Sequence, residues 1–264
     1  MIRSRVWFGP VLVAALATTL VFLTVPVLAI FLETTPAEII RKLGEEQARD
    51  ALWLSAQTTG AAMVLILVVG TPAAYLLATR RFRGRAFVIT LIELPLVLPP
   101  AVAGIALLAA VGPSGLLGRY VEDAGLQLAL TTAGVVVALT FVAAPFYLRQ
   151  AQAAFAAVDG TQVDAARTLG SSEAAAFARV VVPGALPGLA AGGALALGRA
   201  LGEFGATLMF AGSLQGVTQT VPLAIYDDFA TDFDAALALS AVLVIVSAAL
   251  LLAVKLVRGA DAVR

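Results

Sequence analysis

Long apolar runs alternate with short polar segments along most of the chain. A helix that crosses about 30 Å of hydrocarbon needs about 20 residues, since each residue adds about 1.5 Å. Six runs reach that length, so we expect an all-α integral membrane protein with six spans in a single domain over 1–264. The predicted spans are about 6–32, 56–79, 86–111, 129–148, 187–211 and 235–257.

The first run follows Arg3 and Arg5 and therefore invites comparison with a signal peptide. Its apolar stretch is longer than the hydrophobic region of a signal peptide, and no small-residue cleavage site follows it. We interpret the run as a true span.

Composition supports a membrane protein and excludes several kinds of chemistry. Of the 264 residues, 61% are hydrophobic, more than one soluble core of this size can bury. Cysteine and histidine are absent, which excludes disulfides and thiolate metal sites and removes the commonest general base. We expect no metal site and no cofactor bound by this chain, no intramembrane hydrolytic enzyme and, at net charge zero, no nucleic-acid partner.

Lysine and arginine predict the orientation, because cytoplasmic loops are enriched in them. Twelve fall on one predicted side: Arg3, Arg5, four in the 80–85 loop, Arg149, Arg167, Arg179, Lys255, Arg258 and Arg264. The other side carries Arg41, Lys42, Arg49 and Arg119. Both termini and the 149–186 loop are therefore predicted to be cytoplasmic. The 33–54 loop, predicted to form one short amphipathic helix, and the 212–234 loop face outward.

The 149–186 loop is far longer than a connection between two spans requires. Its segment "VDGTQVDAARTLG" predicts a short helix that starts near Asp159 or Thr161 and stops before Gly170. The segment "SSEAAAFARVVVP" predicts a second short helix, from Ser171 or Ser172 to just before Pro183. Alanines leave little bulk on such helices, so another protein can approach closely. The alternative is a surface hairpin that only connects two spans.

This spacing resembles the EAA loop of ABC-importer permeases, in which E-A-A is followed by G and then by I-x-L-P at fixed distances. Asp164-Ala165-Ala166 is followed six positions later by Gly170, and Val180, Val182 and Pro183 stand at the later places. The departures are Asp for Glu and Val for Ile and Leu. The literal "EAA" at Glu173 does not fit, because the positions after it hold the wrong residues.

The resemblance implies the fold of a type I ABC-importer permease and a coupling helix that docks on a separate ATPase. ATP and magnesium would bind to that partner, since neither lysine of this chain follows glycine as a P-loop requires. The residues that the resemblance assigns to the coupling loop are Asp164, Ala165, Ala166, Arg167, Gly170, Val180, Val182 and Pro183.

A second resemblance concerns the cargo. The segments "GRALGEFGATLMFAGSLQGVTQTVPLAIYDDF" and "PLVLPPAVAG" look like the molybdate/tungstate permease group. Sulfate and thiosulfate permeases share the R-A-L-G-E piece, so they remain the alternative. The resemblance implies an oxyanion-binding protein, soluble in the periplasm or lipid-anchored, that delivers the anion.

The charged residues well inside the predicted spans, away from their ends, are Glu93, Arg199 and Glu203. Arg199 and Glu203 are four apart and are predicted to pair on one helix face. The pair either fixes helix packing or lets Arg199 attract an anion, so Arg199, Glu203 and Thr207 are the candidate pathway residues. Pro95, Pro99 and Pro100 are predicted to kink the third span without ending it.

The acidic 212–234 loop is a candidate docking surface for the delivery protein through Asp227 and Asp228, or else a solvated loop. If these aspartates do not bind the delivery protein, the 33–54 or 112–128 segment is the alternative docking site. Six spans enclose little space for a central path, so we expect a second copy of the permease and two ATPase subunits.

Overall fold

The computed structural model describes residues 8–261, so Arg3, Arg5 and Arg264 lie outside the described residues. All regular elements in this part of the chain are helical. The α-helices are α1 (Phe8–Leu32), α2 (Pro36–Leu43), α3 (Glu46–Thr79), α4 (Arg85–Val97), α5 (Pro100–Val111), α6 (Gly118–Asp123), α7 (Thr132–Ala156), α8 (Gly160–Thr168), α9 (Glu173–Ala176), α10 (Val182–Leu201), α11 (Gly205–Ala211), α12 (Val221–Asp228) and α13 (Phe233–Asp261). A π-helical turn, Phe177–Val181, joins α9 to α10.

Five helices or continuous helical segments among these residues are long and apolar enough to cross a membrane. The pair α4 and α5 makes a sixth if the bent pair counts as one span. This confirms the predicted all-α membrane fold, with five to six apolar helices of spanning length where six spans were predicted.

Helix α7 lies at the centre and packs against α3 on one side and α10 on the other. Small side chains such as Ala62, Ala138 and Ala143 fill this core. Tyr147 is fully buried among them, and its hydroxyl group hydrogen-bonds that of Thr71 at 2.6 Å. Small residues let helix backbones approach closely, which is how helices associate in lipid.

The loops gather at two opposite ends of the helices. At one end, Lys42 forms an ion pair with Asp232, and the Oγ of Ser55 accepts a hydrogen bond from the backbone N–H of Val221. At the other end, Arg80 and Arg167 line one cleft. Helices α3 and α7 run from one end to the other, which separates the 33–54 and 212–234 loops from the 80–85 and 149–186 loops.

The third predicted span is broken rather than kinked. Helices α4 and α5 meet at a 120° bend, so the prediction of a continuous kinked helix was wrong. A residue before proline is driven to extended backbone, and both Leu98 and Pro99 precede a proline. Their ψ values of 133° and 136° are extended, and two such residues in succession end the helix. Pro95, which stands alone, remains inside α4.

The fifth predicted span is also broken, between Leu201 and Gly205. The second halves of the two broken spans, α5 and α11, pack directly on each other. A Cβ atom placed on Gly104 would lie 2.6 Å from the carbonyl oxygen of Ala206. One placed on Gly205 would lie 2.8 Å from the Cβ of Pro100, so both glycines are required for this contact.

Two other predicted boundaries were wrong. The 33–54 segment is not one helix, because it divides at Gly44 into α2 and the first turns of α3. The second helix of the 149–186 loop does not stop before Pro183, because helical structure continues from Glu173 to Leu201. The preceding π-turn, closed by a hydrogen bond from the N–H of Val182 to the carbonyl of Phe177, widens the helix just before the proline ring.

The contact between α5 and α11 predicts a stability difference between two glycines. Gly104→Ala should destabilise the protein by about 1–3 kcal/mol, because the new methyl group forces the two helices apart. Gly193→Ala is the matched control, since nothing lies within 4 Å of its Cβ position. The measurement is thermal unfolding of the purified chain in detergent, and equal midpoints for the two variants would contradict the packing described.

Candidate docking and pathway sites

Helix α8 has well-defined ends. Asp159 is its N-cap, and its Oδ1 accepts a hydrogen bond from the N–H of Thr161 at 2.9 Å. This bond holds the pKa of Asp159 below its usual value. After α8, Gly170 has φ +87°, and the N–H groups of Gly170 and Ser171 bond back to the carbonyls of Arg167 and Ala166. This is a Schellman motif, which a glycine at this position favours.

The two faces of α8 differ. At 100° per residue, Val163, Ala166 and Arg167 share the inner face, and Val163 packs against the central core. Thr161, Ala165 and Thr168 share the outer face and are exposed. Leu169, next to that face, is 87% exposed. A small-residue surface ending in an exposed leucine is suited to contact with a partner.

Arg167 connects α8 to α9. Its guanidinium donates two hydrogen bonds to the carboxylate of Glu173, at 2.8 and 2.9 Å, and a third to Asp164 at 2.9 Å. These hydrogen bonds raise the pKa of Arg167 above its ordinary value, and those to Glu173 contribute more than the one to Asp164. We call these three residues, Asp164, Arg167 and Glu173, the Arg167 brace.

A cleft of about 460 Å³ separates α8 from the ends of α3 and α7. Tyr75 and Phe155 line this cleft, and the ring centroid of Tyr75 lies 5.4 Å from that of Phe155, in an edge-on arrangement, and 4.7 Å from that of Phe177. The π-turn carries Phe177 and so places this ring against the spans. Helix α8 therefore lies over a gap, and few side chains fasten it to the rest of the molecule.

The other residues assigned to the coupling loop lie elsewhere. Val180 is in the π-turn, whereas Val182 and Pro183 begin α10. Ser172, not Ser171, caps α9 by accepting a hydrogen bond from the N–H of Ala175. The motif residues thus divide between the exposed helix α8 and the helix that continues into the fifth span.

Arg199 and Glu203 form an ion pair at the break between α10 and α11, as their spacing predicted. Oε1 of Glu203 also accepts a hydrogen bond from the N–H of Ala206 at 2.6 Å, which caps the start of α11. Glu203 and Thr207 are buried, and only the side chain of Arg199, 24% exposed, is accessible among the three pathway candidates. Glu93 pairs instead with Arg149 of α7, at 3.7 Å.

Asp227 and Asp228 do not form a free acidic surface, contrary to the expectation. Oδ2 of Asp227 accepts hydrogen bonds from Ser213 and Gln219, at 2.6 and 2.7 Å. Asp228 is buried and bonds to Gln47, and its burial raises the pKa of this carboxyl. Both side chains hold the 212–234 segment in place.

Neither the pairing of Glu173 with Arg167 nor the π-turn was predicted from residue spacing. The two charges stand six residues apart, which is not a helix spacing. The left-handed residue Gly170 brings them together, so the pairing becomes visible only once the turn is known.

Several long apolar helices, two of the predicted spans being broken, define the class as a multi-pass membrane protein with an exposed small-residue helix at one end. The chain belongs to the family of binding-protein-dependent transport system inner membrane components, which residues 67–260 match. It is therefore a non-catalytic membrane subunit of an ABC importer. The match leaves out α1, α2 and the first part of α3.

Several relatives carry more specific names. The chain is 45% identical over 235 residues to the molybdenum transport system permease protein ModB of Mycobacterium tuberculosis, covering 89% of each chain. It is 37% identical over 239 residues to a probable molybdenum ABC transporter permease of Haloferax volcanii, covering 90% of this chain and 86% of that one. Both relatives match about nine tenths of this chain.

Solved structures support the fold. A bacterial ABC transporter that imports the acidic polysaccharide alginate matches with TM-score 0.74 and 17% identity, over 97% of this chain and 95% of that one. The methionine ABC transporter MetNI, in an inward-facing conformation, matches with TM-score 0.59 and 18% identity, over 79% and 94%. These structures have the fold of ABC-importer permeases.

The buried ion pair predicts a compensating double substitution. Glu203→Gln keeps an oxygen acceptor for Ala206 but leaves the Arg199 charge unpaired. The loss in free energy of unfolding should be smaller than the about 3–5 kcal/mol typical when one partner of a fully buried pair is removed, because Arg199 is partly exposed. Adding Arg199→Met should restore most of it, as measured by thermal unfolding in detergent. Losses that simply add would show that the two side chains do not act as a pair.

Proposed function

We propose that this chain forms the membrane pathway through which molybdate or tungstate enters the cell, driven by ATP hydrolysis on a separate subunit. The observation that carries the proposal is the 45% identity, over 89% of both chains, to a molybdenum permease. The relatives named above give no support to sulfate. The residues of this chain supply orientation and passage rather than bond chemistry, and ATP and magnesium belong to the partner.

The coupling contact is the outer face of α8. Its small exposed side chains and Leu169 offer a convex helical surface for a groove on the ATPase. The distribution of lysine and arginine supports a cytoplasmic location for this end and for both termini. We propose two copies of this chain, two ATPase subunits and a delivery protein at the opposite end, where the 33–54 and 112–128 segments replace Asp227 and Asp228 as docking candidates.

Arg199 is the proposed contact for the anion. A fixed cation near a path attracts an oxyanion but also retains it, and a conduit must let its cargo leave. The ion pair with Glu203 reduces the charge that an anion meets at Arg199. Helix packing and pathway roles are therefore compatible in this pair.

Transport by the reconstituted complex tests the proposal. The tagged chain is purified from native membranes with its associated subunits and placed in vesicles that contain ATP, with the delivery protein outside. We expect ATP-dependent uptake of molybdate and tungstate that excess sulfate inhibits only weakly. Preferred uptake of sulfate, or purification without an ATPase, would contradict it. One permease per two ATPases, or a second and different permease, would contradict the proposed two-copy arrangement.

Gly170 offers a test of the docking role of α8. At φ +87°, a residue with a side chain is disfavoured by about 1–2 kcal/mol, and a β-branched one fits least well. Gly170→Val should therefore weaken the dependence of ATP hydrolysis on the loaded delivery protein, and Gly170→Asn should do so less.

The control is Gly160→Val at the other end of α8, where a Cβ has open space and φ is not positive. The assay is ATP hydrolysis with and without the loaded delivery protein, and membrane insertion is checked by yield. Normal coupling in Gly170→Val would show that the docking assignment is wrong.

A further inference from the structure

We propose that the Arg167 brace is the rigid link through which movement of α8 is transmitted to the fifth span. Arg167 and Glu173 are thus positioning residues for coupling, an inference that rests on the proposed function. Glu173 has no place in the aligned motif, and its role emerges only from its contact with Arg167.

The geometry of the brace is specific. The planar guanidinium binds both oxygens of Glu173 through parallel hydrogen bonds and reaches Asp164 with a third. Bidentate arginine–carboxylate pairs fix orientation more strictly than a single contact does. Arg167 and Glu173 are 43% and 71% exposed, so the pair adds little to stability. Its contribution is the fixed angle between the two helices that it joins.

Few other contacts can carry that task. A cleft of about 460 Å³ lies between α8 and the ends of α3 and α7, and Val163 is the residue of α8 that packs against the central core. Gly170, with its left-handed conformation, provides a turn and no side chain. Helix α8 also lies close to α9 and the π-turn, but among the described residues the brace is the charged link that joins α8 to the start of the next helix. Without it, the angle of α8 would depend on these close approaches, on Val163 and on the turn.

Glu173 stands at the start of an unbroken helical segment. Helical structure runs for 29 residues, from Glu173 through the π-turn to Leu201, which is roughly 40 Å at 1.5 Å per residue. Arg199 lies near its far end and pairs with Glu203 across the break. A displacement of α8 that is rigidly passed to Glu173 therefore moves the helix that carries the proposed anion contact.

The test uses the full complex and a double-mutant cycle of Glu173→Gln, Arg167→Met and both together. Glu93→Gln is the control, because it removes another carboxylate that pairs with an arginine, although this one is only 37% exposed. The chain has no cysteine, so spin labels can be attached to cysteines placed at Gln162, beside the outer face of α8, and at Ala178 in the π-turn. The readouts are the distribution of label distances and the number of molybdate ions transported per ATP hydrolysed.

We expect each single substitution to broaden the distance distribution and to lower the transport ratio about threefold or more. The double variant should be no worse than the worse single, because both remove one interaction. Subunit association should be unchanged. A narrow distribution in both single variants, or losses that multiply in the double variant, would overturn the proposal. The label distances do not depend on the transported ion, so they test whether the brace holds α8 in place even if the complex carries no molybdate.

Discussion

In hydrocarbon, each backbone N–H and C=O group must find its partner inside the protein, and this constraint governs the whole molecule. Unbroken helices satisfy it automatically, so most of the chain is helical. The two breaks, at Leu98–Pro99 and between Leu201 and Gly205, are the places where it must be met differently. Prolines lack the N–H that would be left without a partner at the first break. At the second, Glu203 accepts the N–H of Ala206 with its side chain.

The two breaks are packed together, which links the backbone constraint to the proposed pathway. Gly205 contacts Pro100, and Gly104 contacts the backbone of Ala206, so each broken span supports the other. Glu203 then has two functions at one point, since it caps α11 and neutralises Arg199. A charged pair in a membrane span is costly unless its charged groups find partners inside the protein. Here Arg199 and Glu203 pair with each other, and Glu203 also accepts the backbone N–H of Ala206 just after the break.

Apolar run length predicted the long apolar helices, because crossing a bilayer imposes a minimum length on any sequence. The ends and interruptions of the helices were harder to predict. The pair Pro99–Pro100 ends a helix, whereas Pro183 stands inside a continuous helical segment, although both lie in apolar sequence. The residues before each proline explain the difference. Leu98 and Pro99 each precede a proline and are both extended, while a π-turn before Pro183 makes room for its ring. Sequence pattern alone does not reveal a π-turn.

The coupling segment shows how far residue spacing can be interpreted. The residue pattern of the 149–186 loop predicted a helix that stops before Gly170, and the φ of +87° there agrees with a helix end at this glycine. The alignment on Asp164 set Glu173 aside as a chance repetition of the motif letters. In the folded chain both carboxylates bind one guanidinium, that of Arg167. Spacing within a helix encodes which residues share a face, but contacts across a turn depend on the turn's geometry. The Asp164–Arg167 contact was therefore open to prediction at three residues apart, and the Arg167–Glu173 contact was not.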